Sequence, residues 1–290
     1  KTLMMILEEK YRRSNGIEIP KLGLGTWFIG NDDVTGAVKE AAGIGYRHID
    51  TAQAYGNEGG VGKGIRASGV PRDEMFVTTK LAAEIKAYPE AVEAIDRSLK
   101  TLGLDHIDLM IIHSPKPWAE FKGTEPYFEG NREAWHALEE AYKAGKLRAV
   151  GLSNFQRGDI DNILGSCSVK PMVNQILAHI GNTPEALIRY SEQNGMLVEA
   201  YSPIGHGELM KNRDVAAMAE QYHVSVPQLG IRYCLQLGLL PLPKASSTGH
   251  MRNNAAVDFA ISPEDMEVLK EREPLKDYGE AARFPVYGVK

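Results

Sequence analysis

Residues 45–62 read GYRHIDTAQAYGNEGGVG, and within them a carboxylic acid, Asp50, stands five residues before a phenol, Tyr55. The short apolar run 46–49 predicts a buried strand. That puts Asp50 at the strand's C-terminal end, Tyr55 in the loop that follows and Glu58 at the opening of a helix. In α/β proteins, ligands and reactive groups gather at the carboxyl ends of parallel strands, so both side chains are expected to face one mouth.

Outward from this stretch, short apolar runs alternate with segments of helical period, the pattern of repeated βα units. Eight runs qualify as strands: 22–26, 46–49, 75–79, 107–112, 147–152, 171–174, 196–200 and 239–242. Helical patterns lie between them at 89–102, 132–144, 183–194 and 226–237, the last with Pro227 where a first turn tolerates proline. Ser14-Asn15-Gly16 divides two strand-like stretches within 9–20, and Asn-Gly is a strong hairpin signal. No linker or low-complexity tract interrupts the chain. The expected fold is therefore α/β, a single (β/α)8 TIM barrel spanning 1–290, with an N-terminal β-hairpin plug and a C-terminal tail from Ser262 folded over the mouth. With Met4 and Met5 lying inside the start, residues 1–5 are expected to be extraneous or disordered.

Composition narrows the function. Acids and bases are interspersed and the formal charge is −5, so no basic stripe is available to neutralise nucleic-acid phosphates. Cys167 and Cys234 are isolated, as suits packed thiols in a reducing cytoplasm. No apolar run approaches the ~18 residues that span a bilayer, and 3–7 is too short for a signal-peptide core. A metal site is not expected, because the eight histidines show no paired ligand spacing. A phosphate loop at 57–64 fails too, lacking glycine at Asn57 and a hydroxyl at Gly64.

The residues at the C-terminal ends of the eight expected strands are Trp27, Asp50, Lys80, His113, Ser153 with Asn154, Gln175, Tyr201 and Lys244. Taken singly, each has a bland reading: an Asp after a strand is usually a turn residue, a Tyr is usually packing. Taken together, Asp50, Tyr55, Lys80 and His113 form a coherent acid–base set. Hydride reduction of a carbonyl creates an alkoxide that needs a proton at once, and a phenol with a pKa near 10 is a reluctant donor. An ammonium about 4 Å from the phenol oxygen, at an effective dielectric near 20, favours phenolate by up to roughly 4 kcal/mol before screening. On that basis Lys80 is expected to lower the Tyr55 pKa. Asp50 would keep Lys80 charged and fixed, while neutral His113 donates a hydrogen bond to the substrate oxygen.

Residues 45–52, with Glu58, Val61 and Gly62, resemble the first signature of the aldo-keto reductase family, and Val150, Gly151, Leu152, Ser153, Asn154 and Phe155 resemble the second. The likeness runs from about Gly16 to the tail and implies a barrel that reduces carbonyls with a nicotinamide cofactor bound without a Rossmann site. It implies a catalytic tetrad of Asp50, Tyr55, Lys80 and His113. It also implies that Thr26, Trp27 and Asp50 adjoin the cofactor, that Ser153, Asn154 and Gln175 hold the carboxamide, and that Tyr201 stacks on the ring. Ser202, Pro203, Ile204 and Gly205 match the pyrophosphate loop, and Lys244, Ser246, His250 and Asn254 fall at the adenosine end. Trp27, Tyr55, His113 and Trp118 would meet the substrate.

The third family signature is broken. Lys244 is followed by Ala245, and His250 stands where an arginine that grips the 2′-phosphate is expected. The stretch 243–254 nevertheless carries no acid to chelate a ribose diol, and a helix starting near Thr248 would add its positive end. NADP(H) is the expected cofactor, with NAD(H) tolerated because neutral histidine is the weaker phosphate partner. Ala82 and Ser114 replace aromatics often present in relatives, which predicts a wider, more polar pocket, with Trp118, Tyr127 and Phe128 offering a wall. The short loops resemble bacterial members such as 2,5-diketo-gluconate and methylglyoxal reductases, acting on small aldehydes, dicarbonyls and keto-sugars. The expected partner is a small carbonyl compound, with no nucleic acid and no membrane, and the chain a monomer or weak homo-oligomer. Two rivals stand beside this reading: a Schiff-base aldolase using Lys80, and a cofactor-binding regulatory subunit with little turnover.

Overall fold

Each apolar run expected to be a strand coincides with one in the computed structural model, which describes residues 4–288. An antiparallel hairpin comes first, β1 (Lys10–Arg12) and β2 (Glu18–Pro20). Then come β3 (Leu24–Gly25), β4 (His48–Asp50), β5 (Phe76–Leu81), β6 (Ile107–Ile112), β7 (Leu147–Ser153), β8 (Val173–Leu177), β9 (Leu197–Tyr201) and β10 (Leu240–Leu242). These eight form one parallel sheet in chain order. The sheet closes on itself: Gly25 bridges Lys244 in parallel, and the Gly23 and Gly25 N–H groups donate to the carbonyls of Pro241 and Pro243 at 3.3 and 3.0 Å. A Cβ on Gly25 would sit 2.8 Å from the Leu242 carbonyl oxygen, so the seam needs glycine there.

The strands read as continuous apolar runs because both faces are covered, one by the barrel interior and one by helices. All six residues of β6 are buried, for example, including the acid Asp108. The described helices are α1 (Asn31–Ile44), α2 (Glu58–Ala67), α3 (Tyr88–Leu102), α4 (Phe128–Lys143), α5 (Arg157–Leu164), α6 (Glu185–Gln193), α7 (Arg213–Gln221), α8 (Val226–Gln236), α9 (Thr248–Ala255) and α10 (Pro263–Lys270). In α3 the buried positions Ala91, Ala94, Ile95, Ser98 and Leu102 recur at helical spacing and make one inward stripe. Ser225 and Gln228 form a capping box at the start of α8, where Pro227 follows the cap.

The hairpin plugs the N-terminal end of the barrel. Tyr11 Oη donates to the Leu239 carbonyl at 3.0 Å, Asn15 Nδ2 to the Arg148 carbonyl at 3.3 Å, and the Pro20 carbonyl lies 3.2 Å from His48 Nδ1, all at strand starts. Ahead of it, a 3-10 turn over Met5–Glu8 buries Ile6 and Leu7. Of the expectation for residues 1–5, the part on 1–3 falls outside the described residues. At the other end the tail folds back, and Tyr278, Ala281 and Tyr287 make a small buried cluster against Trp27, Leu177 and Tyr201. Among the described residues no helix is long and apolar enough to cross a membrane.

Candidate active site

Four short segments bring the acid–base set together at the C-terminal rim of the barrel. Asp50 ends β4, Tyr55 ends the 3-10 turn Gln53–Tyr55 just beyond it, Lys80 lies near the end of β5, and His113 follows β6. Lys80 Nζ donates to Asp50 Oδ2 at 2.6 Å, to the Thr51 carbonyl at 2.9 Å and to Tyr55 Oη at 3.0 Å. All three ammonium protons therefore have acceptors. Burial works to lower the Lys80 pKa, but the Asp50 charge and the Tyr55 contact outweigh it and hold the group above its ordinary value. His113 is pushed well below the usual histidine range by burial and by the Lys80 charge, and its buried Nδ1 has no partner. A neutral imidazole follows. Its ring meets Tyr55 edge-on at 5.9 Å and Trp118 at 5.0 Å.

The expected lowering of the Tyr55 pKa is corrected by this geometry. Enclosure of the phenol raises its pKa more than Lys80 lowers it, and Asp50 adds to the rise. The hydroxyl is thus held protonated, and the pull of Lys80 only moderates that.

A cavity of about 620 Å³ opens onto Asp50, Tyr55 and His113, with Lys80 buried behind them. Trp27, Tyr55, His113 and Trp118 line one part of it, Ser153, Asn154, Gln175 and Tyr201 another, and the loop Ser202, Pro203 and Ile204 leads on toward Lys244. The tail residues Phe284 and Tyr287 complete the wall, Tyr287 lying nearly parallel to Trp27 at 5.9 Å.

The sequence model of the Aldo/keto reductase family matches residues 21–273. The chain is 40% identical to a glyoxal reductase of Bacillus subtilis over 91% of its own length and 92% of that protein. It is 36% identical to the glycerol 2-dehydrogenase (NADP(+)) of Saccharomyces cerevisiae, over 88% of each chain. A crystal structure of a Bombyx mori aldo-keto reductase in complex with NADP superposes with a TM-score of 0.83 at 32% identity, covering 96% of this chain and 98% of that one.

This chain belongs to the aldo/keto reductase family.

The family is one of oxidoreductases that work with nicotinamide cofactors. In this aldo/keto reductase, Gln175 Nε2 donates to Asp50 Oδ1 at 2.9 Å and to Glu199 Oε1 at 3.0 Å, which consumes both amide N–H groups. Gln175 Oε1 accepts no hydrogen bond among the described residues, and Gln175 lines the cavity, so an acceptor is left for an amide N–H. Ser153 and Asn154 sit beside it, already engaged: Ser153 Oγ donates to the Gln175 carbonyl, and Asn154 Nδ2 to the His113 carbonyl. Asn154 Oδ1 accepts from Tyr201 Oη at 2.6 Å. Thr26 lines the cavity while its hydroxyl donates to the Asp50 carbonyl at 2.8 Å.

Several expected site residues stand apart from the cavity. Lys244 borders it, whereas Ser246 and His250 are exposed and do not line it, and Asn254 is buried in α9. Gly205 closes the turn after Ile204 without lining the cavity. Ser247 caps α9, its side chain accepting from the His250 N–H. Thr248 donates to Glu40 Oε2 of α1 at 2.9 Å, which brings an acid that 243–254 lacks. Tyr127 and Phe128 do not line the cavity, and Trp118 alone supplies the wall expected of the three. Ser114 is fully buried and Ala82 borders a separate surface hollow beside α3, so neither sets the width of the main cavity.

Glu199, Phe28 and His206 were not expected at the site. Among the described residues six non-glycine positions have left-handed φ, and four of them (Phe28, Asn154, Ser202 and His206) line the cavity, which places strained backbone at the mouth. Nothing in residue type announces that strain. Glu199 did carry a signal: it precedes the expected site residue Tyr201 by two in a strand, so the two side chains share a face. Among the described residues no group of three or more His, Cys, Asp or Glu could hold a metal ion.

Proposed function

We propose that this aldo/keto reductase reduces aldehydes and ketones to alcohols, with NADPH as the favoured reductant and Tyr55 as the general acid. The observation that carries this reading is the placement of Lys80 Nζ between Asp50 and Tyr55, with Tyr55 and His113 both facing one cavity. A bound reduced nicotinamide supplies hydride to the carbonyl carbon. The protein's part is to position the carbonyl oxygen and give it a proton. Neutral His113 can direct an N–H toward that oxygen, and Tyr55 Oη releases its proton as negative charge develops there. Lys80 stabilises the resulting phenolate, and its own charge is secured by Asp50.

Gln175 Oε1, the free acceptor, suits the carboxamide N–H of the nicotinamide, and Tyr201 offers its ring face. Lys244 and the N-terminus of α9 suit an anionic group at the open end. The 40% identity to a glyoxal reductase supports small aldehydes and dicarbonyls as the substrate class. The aldolase alternative is disfavoured, because a Schiff base needs a free amine lone pair and Lys80 is a buried ammonium with three acceptors.

The test is loss of reduced-nicotinamide absorbance with methylglyoxal and a panel of aldehydes. Turnover with NADPH is expected. Absence of reduction across the panel, with tight cofactor binding retained, would favour a cofactor-binding subunit instead.

A further inference from the structure

The reaction needs Asp50, Lys80 and Tyr55, yet a second carboxyl group lies in the same buried chamber without an obvious task. Glu199 is 0% exposed in the middle of β9. Its Oε1 accepts from Gln175 Nε2 at 3.0 Å, and its Oε2 is buried without a partner. Gln175 Nε2 simultaneously donates to Asp50 Oδ1 at 2.9 Å, while Asp50 Oδ2 receives Lys80. One continuous chain therefore runs from Glu199 through Gln175, Asp50 and Lys80 to Tyr55.

We propose that Glu199 is a positioning residue acting through Gln175. Together with Asp50 it claims both N–H groups of the Gln175 amide, so that only the oxygen faces the cofactor, and its carboxyl group loses a proton when the oxidised, cationic nicotinamide ring binds. This rests on the reading that the cavity takes a nicotinamide cofactor.

Two physical facts argue for it. An amide whose nitrogen is pinned by two carboxyl oxygens cannot turn over, because the reversed amide would oppose oxygen to oxygen. The Glu199 carboxyl, meanwhile, is pushed up to about 8, first by burial and then by the Asp50 charge, while the Gln175 hydrogen bond and Lys80 pull it partly back. Asp50 from β4 and Lys80 from β5 are the charged groups that act on it. Gln175 faces it from β8 and is neutral, and its register partner on β10, Leu240, is apolar. A fully buried carboxyl with one oxygen unpartnered responds to charge introduced nearby. A cationic ring favours its ionised form, and a neutral reduced ring does not.

Calorimetric titration of the intact chain at pH 8, in buffers of differing ionisation enthalpy, reads the protons released on binding NADP+ and NADPH, with NAD+ and NADH in parallel. The wild-type chain is expected to release a few tenths of a proton more with the oxidised than with the reduced form. Glu199→Gln keeps an acceptor for Gln175 but has no proton to lose, so the difference should vanish. Glu199→Leu leaves the Gln175 amide held by Asp50 alone and should weaken both cofactor forms by about five- to tenfold, the worth of roughly one ordinary hydrogen bond. An equal proton difference in wild type and Glu199→Gln, or none in wild type while both forms bind, overturns the role of Glu199 alone. Failure of the wild-type chain to bind any of the four nucleotides overturns that role and the reductase reading together.

Discussion

Lys80 Nζ lies 2.6 Å from Asp50 Oδ2, and both side chains are buried at the rim of the barrel. Such a pair adds little net stability over an apolar one, but breaking it strands a charge. Lys80→Met should therefore destabilise the fold by about 3 kcal/mol, because the Asp50 carboxylate loses its cationic partner. Asp50→Asn combined with Lys80→Met should be less destabilising than the sum of the two single changes. Urea unfolding of the wild type and the three variants measures the coupling, and strict additivity would mean that the pair is not energetically joined.

Tyr55→Phe removes one hydroxyl and keeps the ring that meets His113 and Trp27. Carbonyl reduction should fall by at least about 100-fold, the usual loss of a general acid. Cofactor affinity and unfolding midpoint should stay near wild type. A mutant that retains its rate would show that the proton comes from another group.

At the opposite end of the barrel, the charge of Asp108 is structural. Burial alone would raise its pKa, but His106, Arg72 and the Val77 N–H together bring it below the ordinary value, Arg72 at 2.7 Å. A carboxyl depressed in the folded state stabilises the fold at any pH above its unfolded pKa, and the gain is lost as pH falls through the folded value. Asp108→Asn should thus cost about 2 kcal/mol at pH 7, because Arg72, mostly buried, and Arg148, half-exposed, lose their carboxylate partner. The gap from wild type should shrink below about pH 4. Urea midpoints at pH 7 and at pH 3 provide the check, and a constant gap would exclude an electrostatic origin.

The barrel could be read from apolar runs because strands buried on both faces leave nothing else to encode, and 107–112 matched β6 residue for residue. Ends were less clear where the backbone continues extended past the last ladder bond, as at β3, which pairs only over Leu24–Gly25. The four acid–base residues could be singled out because each lies at or just beyond the C-terminal end of a strand. What stayed hidden was pairing across the barrel: that Gln175 joins Asp50 to Glu199, residues 149 positions apart in the chain, depends on strands brought face to face only by closure. The acid beside the start of α9 was hidden for the same reason, since Glu40 reaches Thr248 from α1.

That acid bears on cofactor choice. His250 is exposed near the capped N-terminus of α9, and the Glu40 carboxylate is held 2.9 Å from Thr248 Oγ1. An arginine offers a permanent charge and a two-pronged donor to a phosphate, which neutral histidine does not. His250→Arg should raise the ratio of kcat/KM for NADPH over NADH by about tenfold, mainly through KM for NADPH. An unchanged ratio would place the 2′-phosphate elsewhere.

The tail supplies the last wall of the site and is separately packed. Tyr287, Tyr278 and Ala281 form a cluster apart from the two larger cores, so it can open without unfolding the barrel. Tyr287 is held twice, by its hydroxyl to Ser202 Oγ at 2.6 Å and by its ring over Trp27 at 5.9 Å. Ser202 belongs to the loop that leads toward Lys244, so releasing Tyr287 frees the cavity wall and that loop together. Tyr287→Ala should weaken NADPH binding by about tenfold and speed its release, with the unfolding midpoint lowered only slightly. Tyr287→Phe keeps the ring and loses the hydrogen bond, so its effect should be about two- to threefold. Fluorescence titration with NADPH, paired with stopped-flow release, separates the two contributions. Wild-type affinity in Tyr287→Ala would mean that the tail covers the cavity without holding what binds there.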